Sequence, residues 1–225
     1  MNEVSAPLVV ALDGPSGSGK SSTARGVARA LGLDFLDTGA MYRACTWAVL
    51  DAKVDLDDAH AITAIAERVD IVSGLDPDAP TIKVDGTDVA GPIRGDEVTA
   101  AVSQVAAVPK VRELMVAKQR SIIAASQGIV VEGRDIGTTV APDAAVKVFL
   151  IADVAARAER RTAELGGTAA EVSATQASLA RRDHKDSSRA ASPLAQAEGS
   201  IVLDSTYLTL DEVIAEIVAL VEAAR

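Results

Sequence analysis

Residues 14 to 21 read Gly-Pro-Ser-Gly-Ser-Gly-Lys-Ser, and no other feature of the chain restricts its fold as tightly. An apolar run from Leu8 stops at Asp13, the glycines follow, and beyond Lys20 the residues Ala24, Val27, Ala28 and Leu31 recur at helical spacing. The pattern G-x-x-x-x-G-K-[S/T] between a buried strand and a helix start is a phosphate cradle. Glycine lets backbone N–H groups converge on phosphate oxygens, and the helix amino terminus favours negative charge. Lys20 reaches β- and γ-phosphates, and the Ser21 hydroxyl is a ligand for Mg²⁺. An ordinary glycine-rich turn needs neither lysine nor serine at those two places. The expected nucleotide-binding set is Gly14, Pro15, Ser16, Gly17, Ser18, Gly19, Lys20, Ser21 and Ser22.

Further apolar runs at 34–36, 129–132, Val146–Ile151 and 201–203 alternate with helical patterns, which predicts a parallel sheet covered on both faces. Between 71 and about 93 the alternation breaks. Short strand-like runs at 69–73 and 81–89, with Asp76-Pro77 and Asp85-Gly86 as turn signals, predict a small antiparallel insertion. Helices are expected over 94–105 and over Pro109–Ala125. A capping box at Thr209 and Glu212 opens a last helix whose Val213, Ile217 and Leu220 face inward.

The whole reads as one folding unit. Aromatic residues are only 2% of the chain, so Val, Leu, Ile and Ala must build the core. Cys45 is the single cysteine and cannot form an internal bridge; with no leader-like or membrane-spanning run, a cytoplasmic monomer is expected. A formal charge of −10 argues against nucleic-acid polymers and anionic membranes as partners. Any site for a phosphorylated ligand must therefore gather positive charge locally.

A phosphate cradle alone does not choose between a kinase, a GTPase and a motor or transport ATPase. Asn2 is the only asparagine, so the Asn-Lys-x-Asp element that reads guanine is missing. Arg43, one turn into the helix after the second strand, could clamp an acceptor phosphate, although an arginine there is more often a solvated or salt-bridged residue. Glu132-Gly133-Arg134-Asp135 falls where a parallel strand ends, the edge on which open α/β sheets bind ligands. Arg157, Arg160 and Arg161 share one predicted helix, and Arg181, Arg182 and Arg189 crowd the end of the next. A mobile hairpin of this kind can close over phosphates, although composition alone favours two solvated helix faces. His60 and Cys45 read as structural, and His184 carries no assigned role.

Gly-Pro-Ser-Gly-Ser-Gly-Lys-Ser (14–21), Leu-Asp-Thr-Gly-Ala-Met-Tyr-Arg (36–43), Ala-Val-Ser-Gln-Val-Ala (101–106), Val-Glu-Gly-Arg-Asp-Ile-Gly-Thr (131–138) and Val-Leu-Asp-Ser-Thr (202–206) together resemble the signatures of bacterial cytidylate kinases, in the family's order. The resemblance spans nearly the whole chain. It implies an α/β P-loop fold with a five-stranded parallel sheet, and in-line transfer of the γ-phosphate of ATP, with Mg²⁺, to CMP or dCMP. It implies a core of residues 1–38, 125–156 and 190–225, an acceptor-binding region at 39–124 and a helical lid at 157–189. Carried over, Thr38, Arg43, Ser103, Arg112, Arg134, Asp135, Arg182, Asp186 and Arg189 bind the acceptor, with Lys20, Arg134, Arg157 and Arg182 as the catalytic set. Asp135 would accept from the cytosine 4-amino group while Arg112 donates; uracil reverses both N3 and position 4 and would leave buried polar groups unpaired. Two positions depart from the pattern: Thr38 stands where many relatives have serine, and Glu132 where others have aspartate. Kinases for UMP, shikimate or gluconate, and a nucleotide-binding regulator, are the alternatives.

Overall fold

The structure, a computed structural model, describes residues 7–164 and 166–225. The first half contains β1 (Leu8–Asp13), α1 (Lys20–Leu31), β2 (Asp34–Asp37), α2 (Thr38–Asp51), α3 (Ala59–Arg68), β3 (Ile71–Ser73), β4 (Ile82–Val84), β5 (Thr87–Asp88), α4 (Asp96–Val105) and α5 (Pro109–Ala125). The second contains β6 (Gly128–Gly133), β7 (Val146–Ile151), α6 (Val154–Glu164), α7 (Val172–Ser188), β8 (Ile201–Asp204) and α8 (Leu210–Ala223). Five strands form one parallel sheet in the order β2-β6-β1-β7-β8.

Because side chains alternate across a strand, β1 divides its apolar residues between two cores. Val10 and Leu12 pack with Val27 and Ala28 of α1 and with Val213, Ile217 and Val221 of α8. Val9 and Ala11 face Met41, Cys45 and Val49 of α2 and Met115 of α5. Burial of β1 on both faces explains why its sequence is a continuous apolar run rather than an alternating one. Thr209 caps α8 as expected, its hydroxyl accepting from the Glu212 N–H while the Glu212 carboxylate accepts from the Thr209 N–H. The buried face of α8 runs through Val221 at i+4 from Ile217, and Leu220 is only half-buried.

The insertion has three antiparallel strands, β3-β4-β5. Asp85 and Gly86 both adopt positive φ, 48° and 82°, which is the geometry of a tight hairpin turn, and the run 81–89 folds back on itself there. A 3₁₀ turn at Pro92–Arg94 delays the following helix to Asp96, two residues later than its apolar pattern suggests. The insertion is tied to the main sheet: Phe35 N–H on the edge strand β2 donates to the Leu75 carbonyl at 2.8 Å, and Arg25 Nε to the Pro77 carbonyl at 2.9 Å. Among the described residues no helix is long and apolar enough to cross a membrane. All five core strands end at one edge, where the loops after β1, β2 and β6 meet.

Candidate active site

The glycine loop joins β1 to α1 and turns on three positive-φ glycines, Gly14 at 152°, Gly17 at 76° and Gly19 at 87°. Gly14 lies so close to the Leu150 carbonyl of β7 that a Cβ would collide with the backbone oxygen. Gly14→Ala is expected to cost about 2 kcal/mol or more and to lower Tm by about 4 °C or more, with ATP binding weakened in parallel. An unchanged Tm and an unchanged ATP affinity would show that β7 yields at no cost.

Lys20 is buried, and its Nζ donates to the Pro15 carbonyl at 2.7 Å and to Ser18 Oγ at 3.4 Å. Burial, and after it the nearby Arg134, bring the lysine down to about 7. Next to it, burial and Asp37 push Glu132 up to about 8. Glu132 Oε1 is buried with no hydrogen-bond partner. The sequence places Glu132 at a ligand-binding strand end and as a departure from a family pattern, but gives it no role; its position near the end of the fully buried β6 carries it into the site.

Asp13, the last residue of β1, accepts from the Ile136 and Gly137 N–H groups, both at 2.8 Å. Burial outweighs those two bonds and raises its carboxyl to about 6. This anchor pins the π turn Ile136–Val140 and so aims Arg134 and Asp135, just before it, into the cleft. Arg134 Nε donates to Asp186 Oδ2 at 3.0 Å and Nη1 to the Gly133 carbonyl at 3.2 Å. Arg43 Nη1 is held by the Ile93 carbonyl at 2.9 Å and by Thr99 Oγ1 at 3.0 Å. Burial first, and then Arg182, Arg161 and Arg94, lower Arg43 to about 10; burial and then Arg134 do the same to Arg182. Such mutual depression marks a concentrated positive patch inside a chain of charge −10.

A few residues further, Arg112 Nη2 donates to Asp135 Oδ2 at 2.5 Å, with both side chains about 5% exposed or less. The Tyr42 ring lies under the guanidinium, 5.1 Å from centroid to Cζ. Arg189 Nη2 approaches the other oxygen of Asp135 at 3.9 Å. The two residues expected to read a base are thus paired with each other across 23 positions of sequence.

A cleft of about 830 Å³ joins these groups. Ser16, Gly17, Ser18, Gly19, Lys20, Ser21 and Ser22 of the glycine loop line it, together with Thr38, Arg43, Ser103, Arg112, Arg134, Asp135, Arg182, Asp186 and Arg189. The Thr38 hydroxyl is committed to the Glu132 carbonyl at 2.7 Å. Gly14 and Pro15 do not line the cleft; one permits the close approach to β7 and the other offers its carbonyl to Lys20.

Arg157 is placed apart from the other residues of the expected catalytic set. It is buried outside the cleft, with Nε donating to the Ala152 carbonyl and Nη1 to the Ser16 carbonyl, both at 2.9 Å, and to Asp183 at 2.6 Å. Its Nε and Nη1 are committed to protein atoms, and it is Arg160 and Arg161 of the same helix that line the cleft. A further part of the wall comes from Ser205 and Leu208 in the loop after β8 and from Leu210 and Val213 in the first turn of α8, and Arg160 Nη2 donates to the Ser205 and Thr206 carbonyls of that loop at 2.5 and 3.2 Å. In the sequence Ser205 and Thr206 belong to the family-like segment 202–206, but nothing there singles out Leu208, Leu210 or Val213 for a site. His184 is exposed and outside the cleft, and burial pushes the Cys45 thiol up to about 12, which leaves it inert.

A phosphate-cradling loop on a five-stranded parallel sheet, facing a patch of converging arginines, defines a P-loop phosphotransferase. The chain belongs to the cytidylate kinase family, whose model matches residues 10–223. Proteins named cytidylate kinase from Streptomyces avermitilis and Streptomyces coelicolor are 55% and 57% identical to it over 97% of this chain and 94% of their own lengths. One from Nocardia farcinica is 52% identical over 94% of this chain and 92% of its own. Among solved structures, a gluconokinase from Sinorhizobium meliloti 1021 superposes with a TM-score of 0.52 at 16% identity, covering 97% of this chain and 93% of its own; it shares the fold alone.

Proposed function

We propose that the chain transfers the γ-phosphate of ATP to CMP and dCMP, yielding ADP with CDP or dCDP. The observation that carries this reading beyond the fold is the buried Arg112–Asp135 pair lining the same cleft as the glycine loop. It offers a donor beside an acceptor, matching the N3 acceptor and 4-amino donor of cytosine.

The donor polyphosphate lies on the glycine loop, with Lys20 released from the Pro15 carbonyl to the phosphates. The partnerless, buried Glu132 Oε1 beside the Ser21 hydroxyl suits a hard cation that prefers oxygen, and among the described residues no cluster of three metal-ligating side chains exists. Ser21, with Glu132 behind it, would therefore hold Mg²⁺ together with the nucleotide. When bound, the ion neutralises charge on the transferred phosphate. Arg43, Arg134 and Arg182 hold the acceptor phosphate, and its anionic oxygen attacks in line without a general base. Asp186 and Arg189 take the ribose and the base edge, Ser103 contributes its hydroxyl to the base, and residues 157–189 act as the lid. The core comprises 1–38, 125–156 and 190–225, with 39–124 as the acceptor region.

An acceptor panel tests this. ADP release with Mg·ATP should be confined mainly to CMP and dCMP against UMP, AMP and GMP. Equal turnover of UMP and CMP removes the base-reading role of Arg112 and Asp135; hydrolysis independent of acceptor removes the kinase assignment.

A further inference from the structure

The α6–α7 hairpin is seated directly on the glycine loop. A Cβ built on Gly17 would lie 3.4 Å from Leu179 Cδ1 on α7 and 3.5 Å from Arg157 Cβ on α6, so the loop packs against both helices at a residue with positive φ. One turn beyond Leu179, Asp183 Oδ1 accepts from the Ser16 N–H at 3.0 Å. Arg157 Nη1 donates to the Ser16 carbonyl and to Asp183 Oδ2. Both polar backbone atoms of one loop residue are thus gripped, the N–H from one helix and the carbonyl from the other. Arg157 Nε, bonded to the Ala152 carbonyl, fixes this grip to the end of β7.

A carboxylate is an odd choice for that contact. Glycine-loop N–H groups are the natural donors to phosphate, and a negative charge beside them opposes an anionic ligand. Its presence is accounted for if the loop's shape matters more than the repulsion. Asp183 also faces Lys20 closely enough to favour the charged ammonium.

We propose that Asp183 and Arg157 are positioning residues through which the seating of the α6–α7 hairpin sets the conformation of the glycine loop, so that polyphosphate affinity depends on where the hairpin sits. This rests on the reading of the glycine loop as the ATP site. It gives Arg157 the role of holding the loop in place of the phosphate contact expected from sequence.

The test compares wild type with Asp183→Ala, Asp183→Asn and Arg157→Lys. ATP, inorganic tripolyphosphate and CMP dissociation constants are measured separately by calorimetry, with kcat and KM alongside. Asp183→Ala should weaken ATP and tripolyphosphate by the same factor, about 10-fold or more, and leave CMP within about twofold. Asp183→Asn keeps an acceptor for the Ser16 N–H but turns an amide donor toward Arg157, so it should fall between. Arg157→Lys keeps the charge but cannot reach three acceptors at once, and should weaken ATP without changing CMP. These two milder variants carry the test should the alanine variant fail to fold. ATP affinity that is unchanged or tighter overturns the proposal, the tighter result because it would show the carboxylate merely competing with phosphate. Equal weakening of ATP and CMP overturns it too, since that reports general loss of the hairpin. Wild type that binds CMP but neither ATP nor tripolyphosphate would instead remove the ATP-site reading, and this inference with it.

Discussion

Arg134→Ala is expected to lower kcat for CMP by about a thousandfold or more while leaving the ATP dissociation constant within about threefold. Arg134 follows the last residue of β6, and its Nε and Nη1 are committed to Asp186 and to its neighbouring carbonyl. Nη2 has no protein partner among the described residues, which leaves one end of the fork for the acceptor phosphate or the phosphoryl group in flight. An arginine acting on charge that spreads in the transition state contributes far more to kcat than to ground-state binding. On the proposed reading the donor is held by loop N–H groups and Lys20, none of which Arg134 touches by hydrogen bond. Removing this cation also relieves Lys20, whose charged form Arg134 opposes, and that should help rather than harm ATP binding. Arg134→Lys restores charge without the fork and should recover only part of the rate. A rise in the ATP dissociation constant that matched the fall in kcat would place Arg134 on the donor instead.

Much of this arrangement could be read from the chain because its determinants are local. The run Leu8–Asp13 followed by three glycines, Lys20 and Ser21 fixes strand, loop and helix within about two dozen residues, and Thr209 with Glu212 caps α8 by a pattern complete in four. The site is less local. Arg157, Arg160 and Arg161 lie on one helix and look equivalent in sequence, yet Arg157 turns under the glycine loop while its two neighbours line the cleft. That difference is decided by how α6 and α7 dock on Ser16 and Gly17, contacts some 140 to 170 positions away in sequence. Leu208 and Leu210 are unremarkable in composition and line the cleft only because β8 ends beside β7. Helix α3 carries no motif, and its start is marked only by Asp58, whose carboxylate accepts from the His60 and Ala61 N–H groups.

The Arg112–Asp135 pair is also a tertiary product, and it sets the second large effect. Asp135→Asn should lower kcat/KM for CMP by about a thousandfold, narrow the ratio of CMP to UMP turnover, and reduce stability by about 3 kcal/mol. The stability loss arises because Arg112 is left as a buried charge opposite a neutral amide instead of a carboxylate, with its Nε already lacking a partner. For a chain of this length that loss corresponds to a Tm drop of roughly 6–12 °C. The change in specificity follows from the amide, which can donate to uracil O4 where the carboxylate could only repel it. A second substitution separates the two consequences: adding Arg112→Met removes the stranded charge and fills its volume with an apolar chain. The double variant should regain much of the lost Tm, because breaking a buried pair costs more than replacing both partners. It should regain none of the CMP turnover, because both groups proposed to read the base are gone. Turnover that recovered together with Tm would mean the pair merely supports the cleft; a CMP-to-UMP ratio unmoved in Asp135→Asn would place the reading of the base elsewhere, with Ser103 the next residue to replace.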